Sequence, residues 1–276
     1  MRNQTNCITI LFVAALITAY SCTKEPDGSP AKIQNPTSYI LKRQTWSGVP
    51  SNGLSVAYFY NSDHLISRIE KYVWGIGFAD TSYSTFEYEN GRCRKRTEYD
   101  GYARAYPYGY FIYEYNQDDL PVKRTYHSDS AVEFYTFYKY DNANNLIEKF
   151  DSSHSVDFRH VFSYNGDNNL VKVIDYILWS SPQQKSQREW SSFDNKVNFI
   201  KAVNGLPSPD DNNVGEFSSS SPNNYVIEAA YDQIDIDQPF GQPRFYNYTY
   251  EYNEEGLPVK ITEIPWIVTF EYEKYK

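Results

Sequence analysis

At 276 residues the chain is long enough for one or two domains. It is rich in aromatic residues, with 28 Tyr, and its formal net charge is −9. That balance argues against nucleic-acid binding, which needs a basic footprint, and against a polybasic membrane-surface patch.

Residues 1–22 read as a targeting segment. Arg2 supplies a thin basic start, and Ile8–Ile17 is an apolar stretch too short to span a bilayer. Ala19-Tyr20-Ser21-Cys22 closes it. Two readings fit the same scissile bond. In one, the segment resembles a bacterial lipoprotein lipobox, and Cys22 becomes the lipidated first residue. In the other, Ala19 and Ser21 satisfy the small-x-small rule of ordinary signal cleavage. Both mean export. Lipidation at Cys22 is the expectation carried forward, which makes the N-terminal lipid the protein's only contact with the membrane. Residues 23–38 are polar and Pro-rich and read as a flexible tether. Cys7 leaves with the leader and Cys22 is acylated, so Cys93 is left alone and no intrachain disulfide forms. Cys93 reads as a small buried hydrophobe.

From residue 39 to 276 one domain is expected, written as a repeat. Tyr58-Phe59-Tyr60 is followed by Asn61, Asp63 and Leu65. Phe86-Glu87-Tyr88 leads to Asn90-Gly91, with Cys93 at the Leu position. Tyr113-Glu114-Tyr115 leads to Asn116 and Leu120, Tyr138-Lys139-Tyr140 to Asp141 and Leu146, and Phe162-Ser163-Tyr164 to Asn165 and Leu170. Phe193-Asp194-Asn195 is a degenerate copy, and Tyr250–Thr262 is the last. Tyr, Phe, Val, Ile and Thr suit a half-buried strand, and Asn-Gly, Asp-Asn and Glu-Gly suit tight turns. In each copy the two rings share one face and the residue between them takes the other. Each copy is therefore a hairpin, and copies in meander order predict roughly 14 antiparallel strands. An all-β fold follows. A sheet this size hides its aromatic face by curling into a closed or flattened barrel, or by folding over as a sandwich.

Residues 205–224 interrupt the repeat and read as a surface insertion. Tyr246–Tyr252, Leu257–Ile264 and Ile267–Tyr275 then close the domain. Adjacent charges in the strands, such as Lys123-Arg124 and Arg94-Lys95-Arg96, force cations onto both faces. Facing lipid, each would cost about 2–4 kcal/mol, which soon exceeds the roughly 5–15 kcal/mol that holds a domain folded. The expected barrel is thus soluble and tethered rather than membrane-spanning.

Chemistry is sparse. His64, His127, His154 and His160 form no ligand spacing, although Asp157 lies between the last two. Asn165–Asn169 carries alternating oxygens but lacks the later Glu of a calcium loop. No metal site, cofactor or catalytic residue is assigned, and the protein reads as a non-enzyme. Surplus rings are the candidates for ligand binding: Trp74, Tyr106, Tyr108, Trp179 and Trp190. Trp46 and Trp266 also lie outside the repeat positions.

The stretches Tyr138–Leu146 and Tyr250–Leu257 resemble the YD (RHS-like) repeat, Tyr-x-Tyr-Asp-x-x-Gly-x-Leu. With the lipobox, the Phe193–Asn198 variant, Ser221–Asn224 and the final Gly256-Leu257-Pro258-Val259-Lys260-Ile261, the layout is similar to a group of exported Gram-negative lipoproteins of unknown function. That resemblance implies a porin-like, many-stranded antiparallel fold and an outer-membrane lipoprotein. It brings no catalytic residues. Three functions are consistent with the sequence. One is a binding or scaffold module for a glycan, peptide or envelope partner. Another is an exported hydrolase of envelope polymers, and the third a structural spacer.

Overall fold

A computed structural model describes residues 39–48, 52–101, 107–128, 131–153, 156–178, 182–198, 203, 206, 221–232 and 241–274. Among them are 17 strands and no helix. In chain order they are β1 (Tyr39–Ser47), β2 (Gly53–Tyr60), β3 (Ile66–Gly75), β4 (Phe78–Glu89), β5 (Arg92–Asp100), β6 (Gly109–Tyr115), β7 (Pro121–Ser128), β8 (Ala131–Tyr140) and β9 (Leu146–Ser153). Then follow β10 (Asp157–Tyr164), β11 (Leu170–Leu178), β12 (Pro182–Val197), β13 (Asn223–Asp232), β14 (Arg244–Asn247), β15 (Thr249–Tyr252), β16 (Pro258–Glu263) and β17 (Trp266–Lys274). Neighbours in sequence pair antiparallel, and β1 pairs with both β2 and β17. The ladder thereby returns on itself as a barrel. β14 and β15 act as one interrupted strand. The first pairs back to β13, the second forward to β16, and between them Tyr248 N–H donates to Val226 O at 2.8 Å. The expected hairpins account for 14 of the strands; β1, β14 and β17 lie outside the recognised copies.

The repeat turns share one design. Asn61 Oδ1 accepts from the N–H groups of Asp63 and Leu65, at 3.0 and 2.9 Å. Asn116, Asp141 and Asn165 do the same two and four residues on. The fourth turn position has positive φ: His64, Asp119, Asn144, Asn168 and Gly256. Where Gly is missing, mostly Asn or Asp fills this left-handed position, which they tolerate better than other residues. Asn90 and Gly91 both have positive φ, as a two-residue hairpin turn requires. This accounts fully for the alternating oxygens at Asn165–Asn169.

In six of the aromatic-x-Tyr pairs the second ring ties its strand to a backbone carbonyl of an earlier strand. In the Tyr250–Tyr252 pair the first ring does so, Tyr250 OH donating to Tyr225 O at 2.8 Å, and Tyr252 OH donates to Asp194. Tyr60 OH donates to Leu41 O at 2.8 Å, Tyr88 to Ile66 O at 2.7 Å and Tyr115 to Cys93 O at 2.8 Å. Tyr140 donates to Pro121 O at 2.9 Å, Tyr164 to Leu146 O at 2.9 Å and Tyr272 to Pro258 O at 2.8 Å. The first ring is Tyr or Phe, because its task is packing: Tyr58, Phe86, Tyr113, Tyr138, Phe162 and Phe270 are all buried. Cys93 is buried opposite Tyr88, in the place Ile66 takes opposite Tyr60.

Between the rings, Glu87, Glu114 and Glu251 face out and each meets a lysine on the next strand. Glu87 pairs with Lys95 at 3.4 Å, Glu114 with Lys123 at 2.8 Å and Glu251 with Lys260 at 2.6 Å. Arg159–Glu148 and Lys172–Glu189, at 2.5 and 3.2 Å, continue this outer belt. Inside, the rings form two clusters. One gathers Leu41, Val56, Tyr58, Ile69, Phe86 and Tyr113 with Ile261, Val268 and Phe270. The other gathers Tyr138, Leu146, Phe162, Leu170, Val173 and Trp190. The anticipated surface insertion needs correcting at its described ends. Val203, just before it, is buried in the first cluster and Leu206 packs against that cluster. Ser221 is buried and its Oγ accepts from Leu170 N–H at 2.8 Å. Residues 207–220 lie outside the described residues, as do the leader, the tether and Cys22.

Candidate functional site

The repeat turns stand at one end of the barrel. At the other end β1, β3 and β16 stop and β2, β4 and β17 begin. Here a cleft of about 470 Å³ opens, lined by Trp46, Leu54, Val73, Trp74, Phe78 and Trp266, with Asn52, Gly53 and Glu263. This volume suits a small ligand.

Glycines seat the rings. A Cβ on Gly53 would lie 2.1 Å from the Trp74 indole, and one on Gly48 would lie 2.3 Å from the Trp266 indole. On Gly75 it would lie 2.2 Å from the Phe78 ring. No side chain fits under such rings, so the backbone itself is their floor. Tyr72 stacks on Trp74 at 5.5 Å between centroids and steadies it from the side. Asn52 Oδ1 accepts from Ile76 N–H at 3.2 Å and ties two connections together. Trp46 Nε1 is buried and meets no hydrogen-bond acceptor among the described residues. Burial, then the charge of Glu228, raises the Glu263 carboxyl above the ordinary 4.5.

A second polar feature crosses the barrel interior. Arg124 donates to Thr136 Oγ1 at 3.1 Å, and Thr136 donates to Asp151 at 2.6 Å. Lys149 reaches Asp151 at 3.1 Å. His160 stands between two carboxylates, with Nε2 3.3 Å from Asp151 and Nδ1 2.7 Å from Asp175. Ser186 Oγ donates to the other oxygen of Asp175. Successive strands β7 to β12 thus each place a polar group at one level. For His160, burial opposes charge but the bonds to Asp151 and Asp175 outweigh it, and its pKa is raised. For Asp151 and Asp175, burial works upward but the His160 bond and neighbouring donors or cations prevail, and both are lowered. The arrangement is an ion network in which Ser186 bonds the Asp175 carboxylate.

The sequence-chosen residues separate. Trp74 lies in the cleft. Tyr108 is 46% exposed elsewhere, its N–H donating to Glu98 O at 3.1 Å. Burial first, then the charge of Glu98, pushes its phenol up to about 12. Trp190 is a core residue rather than a surface ring: it is 5% exposed and its Nε1 donates to Glu228 at 3.2 Å. Tyr106 and Trp179 lie outside the described residues, as does His154. Asp157 is not a partner of His160 in the network above. Trp46, Trp266, Phe78 and Glu263 were missed as site residues. Their shared signal is position at strand ends away from the repeat turns, beside Gly48, Gly53 and Gly75.

No family model matches the sequence, and no curated protein matches it. Solved structures do. A porin-like protein from Bacteroides uniformis is similar at 11% identity and TM-score 0.52, over 84% of this chain and 96% of that one. A porin-like protein from Bacteroides vulgatus is similar at 10% identity and TM-score 0.52, over 85% of this chain and 98% of that one. At such identity the likeness concerns the fold. The chain has the many-stranded antiparallel barrel of these porin-like proteins, as its own pairing shows.

Proposed function

We propose that this protein is an exported, lipid-anchored binding module of the bacterial outer envelope, and that it holds its ligand in the tryptophan cleft. The glycine-seated indoles carry the reading. Two tryptophans fixed on backbone, Trp74 and Trp266, with Trp46 lining the same opening, supply large contact area at little entropy cost. A glycan, a peptide or an envelope protein could offer the matching group. The leader and Cys22 support export and anchoring. The outer belt of ion pairs supports a barrel standing in water on its tether, since charges on that face would be costly in lipid. The reading is of binding without catalysis, in keeping with a histidine whose two nitrogens both face carboxylates.

The test is a panel of envelope glycans and peptides, titrated into the full chain while tryptophan fluorescence is followed. A member of the panel should change the emission, and Trp74→Ala should abolish its binding. Binding that survives Trp74→Ala, or an emission unmoved by every member, would overturn the reading.

A further inference from the structure

Glu263 stands in the aromatic wall without a counter-charge. It has no ion pair or hydrogen bond among the described residues, and the charged group it feels is another carboxylate, Glu228. Glu228 is already engaged by Trp190 Nε1 at 3.2 Å and Tyr248 OH at 3.0 Å. Other acids of the barrel interior meet cations: Glu98 meets Arg96, and Asp151 meets Lys149 and His160. Glu263 is only partly buried, so water screens it, yet the cleft supplies it no cation of its own among the described residues. A positive ligand answers that charge.

The surrounding rings favour the same partner. Indole faces attract cations more strongly than other aromatic side chains do, and most of all cations that are weakly hydrated. Three indoles, one phenyl ring and one carboxylate line about 470 Å³, which admits a methylated ammonium with room for the group that carries it. A neutral sugar face would use the rings and offer Glu263 hydroxyl donors, but no opposite charge.

We infer that the cleft is a cage for a quaternary ammonium ligand of the choline type, with Trp46, Trp74 and Trp266 supplying the rings and Glu263 the counter-charge. This rests on the cleft being the ligand site proposed above.

Calorimetric titration of the full chain with choline tests it, beside 3,3-dimethyl-1-butanol, which has the same shape and no charge. Choline should bind at least about tenfold more tightly than the alcohol. Glu263→Gln should weaken choline by roughly tenfold and leave the alcohol unchanged. A melting curve like that of the parent protein would show that this near-isosteric variant is folded. Equal affinity for the two probes, or choline binding indifferent to Glu263→Gln, would overturn the inference. If a neutral glycan binds in a Trp74-dependent way and choline does not, the cation assignment fails while the cleft keeps its role. If no probe or panel member binds, both fail.

Discussion

The two ends of the barrel are built on opposite principles. At the turn end most copies repeat the same three devices: an Asn or Asp that folds the turn, a ring that packs, and a tyrosine hydroxyl that clasps the strands before it. At the far end nothing repeats. Trp46, Trp74, Phe78 and Trp266 each occur once, seated on glycines or against one another, and a carboxylate is left unanswered. The contrast teaches a division of labour. Repetition makes a closed wall whose copies are interchangeable, and the unrepeated residues at its other rim are free to specialise.

The deepest break lies between the ends, in the polar network. Asp175→Asn removes one of the two carboxylates holding His160 and should destabilise the barrel by about 3 kcal/mol, as breaking a largely buried pair does. Denaturant midpoints measure this, and the cleft should still bind its ligand in the folded fraction.

The same network sets a pH optimum. His160 faces Asp151, Asp175 and Lys149, with the charge of Arg188 also acting on Asp175. Its raised pKa gives stability that is fully present below the unfolded value near 6.5 and is lost as pH rises through the folded value. The lowered pKa values of Asp151 and Asp175 give stability present above about 3.8 and lost as pH falls through their folded values. Melting temperature should therefore peak between about pH 4 and 6.5. His160→Gln should remove the decline on the alkaline side.

A smaller change separates the ends. Gly53→Ala places a methyl group 2.1 Å from the Trp74 indole. Displacing that ring should cost about 2 kcal/mol of stability and weaken cleft binding by more than tenfold. Tyr140→Phe, at the turn end, removes one hydroxyl clasp on Pro121 and should cost about 1 kcal/mol with no effect on binding. The pair of variants, read by melting and by titration, sharpens the contrast if their effects stay apart.

Most of the wall was legible in the sequence. The alternation of Glu114 between Tyr113 and Tyr115 announced which face is wet, and the Lys123 partner confirms it. The reason for a recurrent second tyrosine was not legible, because in most copies its acceptor is the backbone of an earlier strand. Phe270-Glu271-Tyr272 is a further copy that escaped notice, since Glu273 and Lys274, not turn residues, follow its tyrosine. The site was only partly legible. Composition marks every tryptophan as surplus to the repeat, yet it cannot tell Trp190, which packs inward on Glu228, from Trp74, which reaches the rim. That difference comes from where each strand ends, and strand ends are what a single sequence defines least well. Glu263 gave no sign at all: its isolation is a property of neighbours brought together by barrel closure.

The most direct measurement is a ¹H–¹⁵N spectrum of the indole N–H resonances, assigned by single Trp→Phe variants and followed during titration with choline and with the glycan panel. The account predicts that the resonances of Trp46, Trp74 and Trp266 move together while that of Trp190 stays still. Movement of Trp190 without the other three, or no movement of any indole, would contradict it.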